Sequence, residues 1–160
     1  MKIRLYISVI ILLAGTSVFS QDTNLPAFAE KYNKSVLGKN VFLFEPGMDM
    51  KEVQSLIDTI FRLQSARRSE FSTNRFALLF KPGTYNLDVR VDYYMQVMGL
   101  GYSPEDVIIK GAVRSNTTHG NSVLTNFWRS VENLTVISTD NSTMVWGVSQ
   151  AAPLRRVNIK

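Results

Sequence analysis

Asp88 and Asp92 are the carboxylates whose spacing first invites acid–base chemistry, because the run Asp88-Val89-Arg90-Val91-Asp92 alternates and puts both on one strand face. Hydrolysis of a glycosidic bond uses two carboxyl groups, about 5 Å apart for retention of configuration and about 6.5–9.5 Å apart for inversion. Four residues of strand separate this pair by about 13 Å. They therefore read as outward, solvated charges partnering Arg90. Glu105-Asp106 follows Pro104 and reads as the acidic opening of a turn. Elimination from a uronate needs a base beside an acidic C–H and a Ca²⁺ cage of several oxygens. No Asp-x-Asp or Asp-Asp cluster supplies such a cage, and Ca²⁺ enters only if the chemistry is that of a lyase. The single histidine, His119, lies in the polar run 116–121 without a companion at metal-ligand spacing, and reads as a surface residue. No metal, cofactor or catalytic residue is assigned.

Contact with a sugar is better served by Trp128, Trp146 and Tyr94, with Tyr93 and Tyr102 beside them in type. Aromatic faces stack on the apolar faces of pyranose rings while their polar edges stay wet. Arg129 adjoins Trp128 and suits an acidic glycan, or a pairing with Glu132. Alternation along a strand would equally send Phe127 or Trp128 inward. Asn133 and Asn158 suit side-chain ladders between stacked strands, a structural role.

The elements that must position these residues are short strands followed by turns. Val41 to Phe44 is an apolar run closed by Glu45-Pro46-Gly47. Asp49 and Glu52 have capping-box spacing, and Val53, Leu56, Ile57, Ile60 and Phe61 form one stripe of a helix that ends near Arg67 to Ser72. No second amphipathic helix follows. Phe76 to Phe80, Asp88 to Asp92, Tyr94 to Met98, Val107 to Ile109, Val123 to Trp128, Leu134 to Ile137, Met144 to Val148 and Val157 to Ile159 all read as strands. Gly83, Gly99 and Gly101 mark turns between them. Asp106, Asn133 and Arg156 each precede a short apolar strand at intervals of 27 and 23 residues, the period of a solenoid coil. The fold class read from this is all-β: a right-handed parallel β-helix with an N-terminal capping α-helix, incomplete at the C-terminus. An antiparallel sandwich is the alternative.

Residues 1–20 have the form of a signal peptide. Lys2 and Arg4 precede the apolar run from Leu5 to Ala14, and Val18 and Ser20 place cleavage before Gln21. The run is short for a bilayer span of about 20 residues, so a secreted or periplasmic chain with no membrane span is expected. Residues 21–39 read as an arm or linker, and 40–160 as the coil domain. The absence of cysteine favours a bacterial protein stabilised by stacking. The sequons at Asn33, Asn116, Asn133 and Asn141 are of a number that chance allows in a chain rich in Ser, Thr and Asn. Without Lys2 and Arg4, 16 basic and 13 acidic side chains remain, scattered and without the stripe that nucleic acid requires. The partner expected is a polysaccharide or other glycan, met by a monomer.

Several motifs occur together in order: Val41-Phe42-Leu43-Phe44 with Pro46-Gly47-Met48, the capped helix, Phe80-Lys81-Pro82-Gly83-Thr84-Tyr85, Tyr93-Tyr94, and Gly99-Leu100-Gly101 with Pro104. They continue in Asn126-Phe127-Trp128-Arg129-Ser130, Glu132-Asn133-Leu134-Thr135, Val148-Ser149-Gln150-Ala151 and Arg155-Arg156-Val157-Asn158. From Lys39 to Lys160 the chain resembles the N-terminal part of large secreted bacterial proteins with a pectate-lyase-like parallel β-helix, some of which carry a coagulation-factor-5/8-type carbohydrate-binding domain. The resemblance implies a polysaccharide hydrolase or lyase, with a non-catalytic glycan-binding or adhesion solenoid as the alternative. Members continue for several more coils. A fragment, a truncated reading frame or a chain needing a partner at that end is therefore expected, inactive alone, with its catalytic residues mostly beyond Lys160.

Overall fold

The computed structural model describes residues 25–33, 35–116, 123–139 and 144–160. Seven strands and one α-helix follow in the order β1 (Val41–Phe44), α1 (Met50–Gln64), β2 (Phe76–Phe80), β3 (Gly83–Arg90), β4 (Met95–Gly99), β5 (Val107–Arg114), β6 (Ser130–Ser138) and β7 (Leu154–Ile159). Every pairing between these seven strands is parallel. Among the described residues no α-helix separates successive strands after α1, the chain returns to parallel pairing by coiling, and the result is a parallel β-helix-like fold.

Two sheet faces share the coil. One stacks β1, β2, β4 and the start of β6, while the other stacks β3, β5 and the rest of β6. In the first coils the two faces are joined by residues 81–82 and then by 100–106. In β6 and β7 the corner shrinks to one residue, Asn133 (φ 55°) and Arg156 (φ 52°), so each strand runs on through both faces. The registers Ile108 with Thr135 and Glu132 with Arg155 reproduce the sequence intervals of 27 and 23.

Aromatic packing fills the first coils. Tyr32, Phe44, Phe80 and Tyr85 follow one another with ring centroids 5.7, 5.0 and 5.1 Å apart. The later coils are filled by Val97, Val107, Ile109, Val131, Leu134 and Val136, all buried. Rows of like side chains in register are the usual way a coil turns one residue per turn into a continuous core.

Helix α1 begins at Asp49, whose side chain accepts from Lys51 N at 2.8 Å. Glu52 does not complete a capping box: its carboxylate takes the Tyr32 hydroxyl and the Lys31 ammonium. The helix stops at Gln64, short of the expected Arg67 to Ser72. Val53, Leu56, Ile57 and Ile60 of its apolar stripe are buried and Phe61 is half-buried, while Gln54 hydrogen-bonds both Asp88 N (2.9 Å) and Asp88 O (2.8 Å) on β3.

Several expectations change. Within the stretch read as an arm or linker, Ala27–Tyr32 forms a 3-10 helix with Ala29 and Tyr32 buried. Val123 to Trp128 is not a strand: a 3-10 turn at Val123–Thr125 leads to a left-handed Trp128, which ends any extended run. Met144 to Val148 contributes a single bridge, from Trp146 to Ser115. Asp92 is buried rather than solvated, because the chain leaves β3 after Arg90 and turns inward. Arg90 pairs with Asp58 on α1, and Asp88 with Arg114. His119, Asn141 and the expected leader at residues 1–20 lie outside the described residues.

Candidate functional site: an aromatic ladder at a corner of the coil

Strand register brings four residues into line just before the first sheet face. Phe76 pairs with Met95, Gln96 with Ser130, and Val131 with Leu154. Arg75, Tyr94, Trp128 and Ala151 are therefore equivalent positions on successive coils. Tyr94, Trp128 and Ala151 share a left-handed backbone, with φ 58°, 54° and 47°. Such a residue turns a sharp corner and throws its side chain outward, at a cost of about 1–2 kcal/mol.

The Tyr94 and Trp128 rings stack with centroids 5.3 Å apart and planes 18° from parallel. The Arg75 guanidinium lies 3.3 Å from the Tyr94 centroid. The Tyr94 hydroxyl donates to Glu70 O at 2.6 Å, which fixes the ring's edge. Phe127 stands nearly perpendicular to Trp128 at 4.6 Å. Trp128 remains 43% exposed. Its ring is held on the coil yet open to solvent, as stacking against a sugar requires.

Directly inside the ladder lies an ion pair. Arg129 Nη2 is 2.9 Å from Asp92 Oδ1, and both side chains are fully enclosed. Arg129 also donates to Val91 O and Ser115 Oγ, both at 3.0 Å, and to Phe127 O at 3.2 Å. Asp92 Oδ1 accepts from Tyr93 N at 2.8 Å. Burial lowers the Arg129 pKa, and Asp92 opposes that shift. Tyr93, 5.0 Å from the guanidinium, has its pKa raised by burial first and then by Glu70 and Asp92.

Of the four residues nominated as sugar contacts, the structure joins Trp128 and Tyr94 in one surface. It turns Arg129 inward, because Trp128 occupies the outward corner and the next side chain points into the coil. Trp146 is half-buried, packs on the core, and donates Nε1–H to Ala152 O at 3.0 Å. Arg75, Gln96, Ser130 and Ala151 were not singled out by sequence. The ladder spacings of 19, 34 and 23 residues are too irregular to align without the register.

Asn133 fulfils its structural role, its Nδ2 donating to Gly99 O at 2.9 Å and Gly101 O at 2.8 Å. Asn158 donates to Glu105, whose pKa is lowered chiefly by the hydrogen bond from Ser103. Asp92 is committed to Arg129, Glu132 to Arg155, and Asp88 to Arg114. Among the described residues, no three His, Cys, Asp or Glu side chains gather as a metal site would require. No helix among them is long and apolar enough to cross a membrane.

The chain is 39% identical over 147 residues to an exo-β-1,3-glucanase of Streptomyces sp. (strain SirexAA-E / ActE), a match covering 90% of this chain and 23% of the relative. This homologue is a glucanase. The solved structure of sacteLam55A from Streptomyces sp. SirexAA-E matches with a TM-score of 0.70 and 40% identity, over 78% of this chain and 22% of that one. A structure of a variant of sacteLam55A in complex with glucose matches at 0.70 and 42% identity. The chain thus spans under a quarter of the length of these relatives. No family model matches. The likeness that these comparisons carry is to a carbohydrate-active enzyme.

Proposed function

We propose that this chain forms the opening coils of a secreted β-1,3-glucan hydrolase and supplies it with a glucan-binding surface. The observation that carries the reading is the exposed Trp128 ring, locked on Tyr94 at a corner of a coil that shares 39% identity with a glucanase. Hydrolysis is favoured over elimination on chemical grounds. A neutral glucan has no carboxylate to acidify a neighbouring C–H, which a lyase requires. The acid and base belong to parts of the polymer-cleaving site that this stretch does not carry. In this reading α1 closes the first end of the coil, with Gln54 satisfying the backbone of β3 where another strand would otherwise pair. The leader exports the chain to meet an extracellular polymer as a monomer. Commitment of Asp88, Asp92 and Glu132 to arginines also supports a purely binding role, as a second reading.

Titration of the purified chain with a soluble β-1,3-glucan oligosaccharide tests the proposal. Binding is expected, with Trp128→Ala weakening it at least tenfold, in line with about 1.4 kcal/mol per factor of ten. Polygalacturonate is expected not to compete. Preference for polygalacturonate, or an affinity unmoved by Trp128→Ala, would overturn the reading.

A further inference from the structure

The geometry points to a single-pyranose subsite in the place where the aromatic ladder lacks a ring, at Ala151. The inference rests on the glucan-binding reading and adds to it a position, a stoichiometry of one ring, and a preference for neutral sugar. Tyr94, Trp128 and Ala151 are equivalent on successive coils and share the left-handed backbone, so a side chain at 151 would project alongside Trp128. Tyr94 and Trp128 use that projection to stack at 5.3 Å. Ala151 offers only a methyl group. What remains is an open pocket of about 250 Å³, lined by Tyr94, Gln96, Trp128, Ser130, Ala151 and Pro153. That space suits one hexose ring, with Trp128 and Pro153 as apolar walls for its C–H faces.

The slot is built on the coil and not on a mobile loop. Arg129 N donates to Ala151 O at 3.3 Å, Val131 N to Pro153 O at 3.1 Å, and Gln150 bridges to Phe127 in parallel register. Gln96 is exposed and Ser130 half-buried, so an amide and a hydroxyl are in place for sugar hydroxyls. The one charged side chain in the lining, Arg129, is fully enclosed and committed to Asp92. A uronate entering here would leave water without meeting an available cation, whereas a neutral hexose loses no charge solvation.

Two experiments on the full chain test this. In the first, Ala151→Trp completes the ladder, in a backbone conformation that Trp128 already adopts. It is expected to weaken β-1,3-glucan oligosaccharide binding at least tenfold and to shield Trp128 from acrylamide quenching, with an unchanged far-ultraviolet circular dichroism spectrum. In the second, which needs no variant, ¹³C-methyl-alanine labelling follows the Ala151 methyl resonance during titration with the same oligosaccharide. The Ala151 signal is expected to shift while that of Ala29 in the core stays still, and oligogalacturonate is expected to move neither. Loss of binding in Trp128→Ala with full binding in Ala151→Trp and a silent Ala151 methyl would overturn the subsite and leave the glucan-binding reading intact. Indifference to both substitutions would overturn that reading itself. An equal Ala151 shift with oligogalacturonate would overturn the neutral-sugar assignment.

Discussion

At Arg129 a guanidinium enclosed by protein meets Asp92 at 2.9 Å, and neither charge has water to fall back on. Three carbonyl or hydroxyl oxygens from three separate segments, at Val91, Ser115 and Phe127, also converge on it. Such a pair contributes little over a well-packed apolar substitute, but removing one partner costs about 3–5 kcal/mol because the other charge is stranded. Arg129→Met is therefore expected to lower unfolding stability by about that amount. Adding Asp92→Asn should recover much of the loss, since asparagine keeps an oxygen for Tyr93 N and carries no charge. Urea unfolding of the two single variants and the double variant measures the coupling. If the double variant lost the sum of the single losses, the two side chains would not act as a pair. The same pair joins the turns that carry Tyr94 and Trp128, so the charge nominated as a sugar contact instead holds the backbone beneath the rings.

Corners, more than strands, decide which elements this chain can form. Gly99 ends β4 where the Asn133 corner of the next coil crosses it, and a Cβ built on Gly99 would stand 2.0 Å from Asn133 O. That oxygen is backbone, and Val107 Cβ would stand at 3.0 Å, so little can yield. Gly99→Ala is expected to destabilise by about 3 kcal/mol, the upper part of the usual overpacking range. Gly147→Ala is the control, since its nearest neighbours would lie at 3.6 Å, an ordinary contact. Thermal denaturation of the two variants separates them, and equal losses would show that the Gly99 crossing can relax. The Gly99 and Gly101 turn was legible in the sequence, and so were the strands with continuous or alternating apolar residues, from Phe76 to Phe80 and from Val107 onward. Val123 to Trp128 and Met144 to Val148 misled for a physical reason. Their apolar residues serve a corner and a single bridge, and a left-handed residue such as Trp128 cannot continue a strand.

Across the whole molecule, one-dimensional stacking turns side chains that are distant in sequence into neighbours. The types needed for a sugar surface were visible in Tyr94 and Trp128, but their adjacency was not, because 34 residues separate them and the coils differ in length. Stacking also gathers tyrosines into the interior, and this gives the fold a dependence on alkaline pH. Tyr85 is buried with its hydroxyl donating to Lys81 O at 2.7 Å, and burial, followed by the nearby Glu45, raises its pKa from 10.0 to about 12. Tyr93 shifts in the same direction. In the unfolded chain these phenols lose their protons near the ordinary value, while the fold still holds them. The unfolded state then binds fewer protons, so stability must fall as pH rises between 10.0 and about 12. Below the unfolded value the contribution is fully present. Urea midpoints are expected to be level from pH 8 to pH 9 and to decline through pH 10 and 11. Lysines titrate in the same window, so the decisive quantity is the difference between the parent chain and Tyr85→Phe. That variant loses the Lys81 bond and starts lower at pH 8, yet its decline should be shallower because one shifted proton is gone. Parallel declines in the two proteins would show that the Tyr85 phenol does not carry the effect.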